Sequence, residues 1–119
     1  MHIERFDGRF VAGIGDLIVP IQREEFGISI TYQDQPDLLD IPGFYQSGTG
    51  QFWLAREGDK VVGTIALKDI GDQEAALRKM FVARDYRGSE HWRFATTSII
   101  KCLRLITPDQ ERIAQIQLV

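Results

Sequence analysis

Two rhythms of apolar and polar positions divide the chain. Near its start "HIERFDG" alternates loosely, which predicts a short strand ending at the turn pair Asp7-Gly8. Then Ile14, Leu17, Ile18, Ile21 and Glu25 recur at helical spacing, with Asp16 placed as a cap. Pro20 lacks a backbone donor, so a kink or a late start is expected in that helix, and Gly27 should end it. In "DQPDLLDIPGFYQ" Pro36 suits a helical first turn, while Pro42-Gly43 should break the segment.

From Gly50 the period falls to two. "QFWLARE" and "KVVGTIALKD" read as strands joined by a hairpin at Gly58-Asp59. In the second run Val61, Gly63, Ile65 and Leu67 are expected on one face, with Val62, Thr64 and Ala66 on the other. Both sets are apolar enough to require cover on both sides. After a "GDQ" turn, "EAALRKMFV" supplies the next antiparallel strand. Helices followed by a meander imply an α+β fold with a central sheet. Farther on, Trp92, Ala95, Ile99, Cys102, Leu103 and Ile106 form a helical stripe, and Thr107 with Gln110 could cap a further helix. Ala114, Ile116 and Leu118, alternating with glutamines, favour a strand instead.

Bulk properties narrow the function classes. A chain of 119 residues suffices for one domain with its own core, read here as residues 1–119. The net charge of −3, with both signs scattered, argues against nucleic acid as the main partner. The single Cys102 permits neither an internal disulfide nor a cysteine metal cluster, and it reads as a small buried hydrophobe. Asp69, Asp72 and Glu74 match no standard metal loop, so no metal is expected. Without a signal-like or membrane-length apolar run, the expectation is a cytoplasmic protein with no membrane association.

The segments "IVPIQREEFGI", "FWLAREGDKVVGTIALKDI" and above all "AALRKMFVARDYRG" resemble the GNAT superfamily of N-acetyltransferases. The last resembles that family's fourth strand and the start of its acetyl-CoA pyrophosphate loop, where Arg-Gly follows a V-x-x-x-Y pattern. The resemblance spans roughly residues 1–91. It implies a mixed, mainly antiparallel sheet flanked by helices, with acetyl-CoA as co-substrate and a small-molecule or peptide amine as acceptor. It also implies a cofactor-binding set of Met80, Phe81 and Val82 through their backbone, then Arg87, Gly88, Ser89, Glu90, His91, Trp92 and Arg93. A backbone N–H near Phe81 would be the oxyanion donor. Physically, a strand-to-helix turn aims several N–H groups at one point, which suits a pyrophosphate.

The sequence departs from the family pattern at two places. Counting from Arg87, the family's loop glycines fall on Glu90 and Trp92; an indole would crowd a phosphate and a carboxylate would repel it. The family also continues through more strands and a helix, so the C-terminal half is read as missing or altered. Trp92, the sharper departure in the loop, and the altered C-terminal half both follow His91, as a change of reading frame near codon 92 would produce. A general base is not evident: Arg78 and Lys79 at the centre of the strand are cations. His91 is either a proton-transfer group or a surface residue, and Glu24 and Glu25 either meet an amine or form a solvated helix face. Arg87 and Arg93 are phosphate candidates, and Trp53 is expected in the core. The alternative to an enzyme is an inactive GNAT-like domain whose open sheet edge is completed by a homodimer partner or another protein.

Overall fold

The computed structural model describes residues 2–48, 50–71, 74–87 and 112–116. Strands β1 (His2–Arg5), β2 (Gln51–Glu57), β3 (Lys60–Gly71), β4 (Glu74–Val82) and β5 (Arg112–Ile116) form one sheet in that order. The first four pair antiparallel and β5 joins β4 in parallel. This is the expected α+β arrangement, and the Gly58-Asp59 hairpin and the Glu74–Val82 strand stand where the sequence puts them. The helical stripe from Trp92 to Ile106, the Thr107 cap and Cys102 lie outside the described residues, as do Asp72 and Leu118.

Helices α1 (Val11–Pro20), α2 (Pro36–Leu39) and α3 (Ile41–Phe44) connect β1 to β2. Helix α1 buries Ile14, Leu17 and Ile18 against Phe52, Leu54, Ala66 and Phe81 of the sheet. Each such buried side chain contributes about 1.5–3 kcal/mol. The other sheet face buries Trp53, Ile65, Leu67, Ala75 and Leu77, so β3 is covered on both sides and Trp53 is core, as expected.

Four local expectations are corrected. Asp16 lies inside α1 and caps nothing; the helix starts at Val11, behind Phe10 in a left-handed conformation (φ 65°), so it does not start late. Pro20 leaves the Asp16 carbonyl one turn back without its N–H partner, yet α1 runs through it, and the irregular stretch comes only after it. There Ile21 N–H bonds to Ile18 O and Phe26 N–H to Ile21 O, and Ile21–Glu25 forms a π-helical segment that Gly27 (φ 67°) ends. Pro42-Gly43 does not break the second segment; the break is at Asp40, and Pro42 sits in the first turn of α3. Pro42 cannot donate to Leu38 O, and the Tyr32 hydroxyl donates to that carbonyl instead, at 2.9 Å. The fourth correction is Val61, which leaves the face of Ile65 and Leu67 and joins the α1 cluster. Ala55 pairs with Gly63 but Arg56 pairs with Val61, so Val62 is an extra residue and the alternation inverts across it.

The inversion brings Val61 against Gly13 of α1, where an added Cβ would lie 2.9 Å from Val61 Cγ2. At Gly50 an added Cβ would lie 2.2 Å from Tyr45 O and 2.7 Å from Leu67 O, two backbone atoms with little freedom to move. Gly50→Ala should therefore destabilise by about 2 kcal/mol or more. Gly13→Ala should be nearly neutral, since the roughly 1 kcal/mol gained in helix propensity offsets a small shift of Val61. Urea unfolding midpoints check both, and a Gly50→Ala chain with the parental midpoint contradicts the packing described.

Candidate functional site

Strand β4 changes its surroundings halfway along. Glu74 to Leu77 pair with β3 on one side and with β5 on the other, where the register runs from Arg112 to Ile116. Beyond Leu77, β3 continues beside β4, and no described strand pairs with its opposite edge. Backbone groups in an antiparallel ladder address alternate sides. Ala83 N–H donates to Val62 O at 2.9 Å, and Phe81 stands opposite Thr64, so these two face β3. Val82, between them, turns its N–H and carbonyl to the open edge. Its carbonyl accepts from Arg87 Nε at 2.8 Å. Of the sequence-derived set, Met80, Phe81, Val82 and Arg87 are therefore gathered here; Gly88, Ser89, Glu90, His91, Trp92 and Arg93 lie outside the described residues.

A bulge sits at the midpoint. Ala66 pairs with Arg78 but Thr64 pairs with Phe81, which leaves two residues, Lys79 and Met80, opposite Ile65. Lys79 takes the extra turn in a left-handed conformation (φ 51°), rare for a residue with a Cβ. Its carbonyl is held by the buried Thr64 hydroxyl at 2.8 Å. Met80 packs against the cluster of Trp53, Ile65, Leu67, Ala75 and Leu77, whereas the Lys79 side chain crosses to the helical face. There Nζ donates to Gln35 Oε1 at 2.8 Å and lies 3.5 Å from Asp37 Oδ2, both charged side chains being only 12% and 13% exposed.

The groups around Lys79 form one buried polar network. Gln22 and Gln35 exchange amide hydrogen bonds at 3.0 and 2.8 Å, and Gln35 also donates to Thr31 O. The Tyr45 hydroxyl donates to Asp37 Oδ2. Burial first, and then that hydrogen bond, push the Tyr45 phenol far above its ordinary range, so it remains a neutral donor. Among the described residues no buried side-chain polar atom lacks a partner. Sequence reasoning missed this network, although one signal was present. Gln22 follows Ile14 and Ile18 at steps of four, a polar residue on the apolar stripe.

Arg87 has a partner the sequence did not indicate. Its Nη1 and Nη2 donate to the two carboxylate oxygens of Glu25, 62 positions away, in a bidentate pair. Glu25 is thus more than a solvated charge on a helix face. The pair holds Glu25 below its ordinary range, chiefly through the Arg87 hydrogen bond, and raises Arg87 for the same reason. An open groove of about 430 Å³ adjoins the strand end at Ala83, but Asp16 and Asp59 on its rim outnumber Lys60, a poor cradle for phosphate. The described residues contain no group of three or more candidate metal ligands. They also contain no helix long and apolar enough to cross a membrane.

Comparison with known proteins completes the description. A comparison with curated proteins finds no match. Among solved structures, an acetyltransferase of GNAT family from Staphylococcus aureus Mu50 superposes with a TM-score of 0.76 at 32% identity, over 87% of this chain and 66% of that one. An acetyltransferase from Streptococcus agalactiae 2603 gives 0.79 at 32% identity, over 90% and 67%. This chain thus spans about two thirds of the length of both. An aminoglycoside 6'-N-acetyltransferase complexed with coenzyme A gives 0.65 at 14% identity over 89% of this chain and 57% of that one, a likeness of fold. The sequence profile of the acetyltransferase (GNAT) family matches residues 16–90, which include the second half of α1, helices α2 and α3, the hairpin, the bulged strand and the turn at Arg87, and the chain belongs to that family.

Proposed function

We propose that this chain works as a single-domain, cytoplasmic N-acetyltransferase, with acetyl-CoA as donor and a small-molecule or peptide amine as acceptor. The observation that carries the reading is the half-open edge of β4. The pantetheine arm of acetyl-CoA contains amide groups, and a chain of amides can pair with an unoccupied strand edge as a short added strand. Met80 and Val82 would supply the backbone partners, with Phe81 as the packed residue between them. The segment Arg87, Gly88, Ser89, Glu90, His91, Trp92 and Arg93 would then serve the pyrophosphate.

Arg87 suits that task because it is oriented in advance. Among the described residues, three of its five N–H groups are engaged, by Val82 O and Glu25, and the other two would serve phosphate oxygens. Acetyl transfer forms a C–N bond, breaks a C–S bond and moves one proton from the amine to sulfur. The chain's own contribution to that step is the Val82 N–H, which we assign to the thioester oxygen. Tyr32 and Tyr45 supply no proton, because their hydroxyls are committed to Leu38 O and Asp37.

Acetyl-CoA should raise the melting temperature by mass action, by an amount that grows with ligand concentration. No shift at millimolar acetyl-CoA would contradict the enzyme reading and leave the inactive, partner-binding alternative, for which light scattering reads the oligomeric state. The Glu25–Arg87 pair makes a second prediction. A carboxyl whose folded pKa is depressed stabilises above the unfolded value of about 4.5, and loses that stabilisation as pH falls through the folded pKa. Glu25→Gln should therefore melt slightly below the parent at neutral pH and low salt, and the gap should close in acid and in high salt. Melting curves across pH check this; a gap independent of both variables contradicts the pair.

A further inference from the structure

We infer that Lys79 is a positioning residue, a buried tether that ties the bulge of β4 to the helical side and thereby sets the edge at which Val82 is presented. The inference rests on the acetyltransferase reading only for what that edge binds.

Three observations carry it. Lysine is a poor choice for this position on local grounds, because φ 51° costs free energy for any residue with a Cβ, and glycine would serve better. A four-carbon ammonium side chain is also a poor choice for a nearly buried place unless its charge is met. Both costs are accepted here, and the side chain is met by Gln35 at 2.8 Å and by Asp37 at 3.5 Å. Those partners are themselves fixed, Gln35 by its reciprocal pair with Gln22 and Asp37 by Tyr45.

The tether has a counterpart. Gln22 and Glu25 belong to the same π-helical segment, Ile21–Glu25. Gln22 reaches β4 through Gln35 and Lys79, just before Met80; Glu25 reaches it through Arg87, which holds Val82 O. The half of β4 with one neighbour among the described strands is thus suspended at both ends from one helical segment. Thr64 fixes only the carbonyl of Lys79, so removing the ammonium should leave the bulge formed but free to shift. The segment from Pro20 to Glu25 therefore supports the cofactor edge without being part of it.

The test uses the full chain with acetyl-CoA as the probe. In urea unfolding, Lys79→Met and Asp37→Asn should couple, the double variant losing clearly less than the sum of the two. Strict additivity overturns the tether. Lys79→Gly, which accepts φ 51°, should be less destabilised than Lys79→Met, and the reverse order overturns the reading of the bulge. At a temperature where every variant is folded, calorimetry should show acetyl-CoA binding weakened at least about tenfold by Lys79→Met, with Lys79→Arg recovering most of the loss. Fold stability alone would not produce that loss and rescue in folded protein. Parental binding with an unchanged constant in Lys79→Met overturns the positioning role and leaves the acetyltransferase reading standing. Absence of parental binding overturns the acetyltransferase reading and the positioning role together, while coupling in urea still decides the tether.

Discussion

The structure depends on one backbone constraint: β4 has neighbours on both sides over its first half and one neighbour among the described strands over its second. A strand edge of this kind presents N–H and carbonyl groups that need partners. Arg87 meets one of them, the carbonyl of Val82. The N–H of the same residue points the same way, and no described strand pairs with it there. Binding and catalysis both need such a group, and a rigid scaffold supplies it more accurately than a loop does. Residues 16–90 show the family, and in the reaction proposed for the chain that N–H meets the thioester oxygen.

Rigidity of the edge comes from the helical side rather than from the sheet. Pro20 disturbs the ladder of α1, and the π-helical segment that follows carries Gln22 inward and Glu25 toward Arg87. The amide pair of Gln22 and Gln35 is fully satisfied, which keeps a buried polar cluster from becoming a liability. A half-satisfied version would cost more than an apolar core in the same place. The cation of Lys79 is thus accommodated by partners spread over the π segment, the loop before α2 and α2 itself.

Much of the frame was legible in the sequence because it depends on local signals. Gly58-Asp59 marks its hairpin through turn chemistry, and Pro36 marks a first turn through its fixed φ. The family pattern points to Met80, Phe81 and Val82, and these lie on the part of β4 that has one neighbour among the described strands. The misses share a physical cause, which is long-range pairing that no local pattern records. The extra residue at Val62 inverts the face of Val61, and a strict period of two cannot register such an insertion. Lys79 in a left-handed bulge contradicts its own propensity and is supported by residues about 40 positions away. Glu25 and Arg87 are 62 positions apart, and no local pattern pairs them. Asp16 was misread for a different reason: capping preference is a weak guide when an apolar stripe already extends upstream to Ile14.

Amide hydrogen exchange, resolved at Phe81 and Val82 with and without saturating acetyl-CoA, tests the account most directly. Phe81, paired with β3, should exchange slowly in both conditions. Val82 should exchange much faster than Phe81 in the free chain and slow by at least about tenfold when acetyl-CoA is bound. A Val82 amide as protected as Phe81 in the free chain, or one whose exchange acetyl-CoA leaves unchanged, would contradict the claim that the open half of β4 is the cofactor edge.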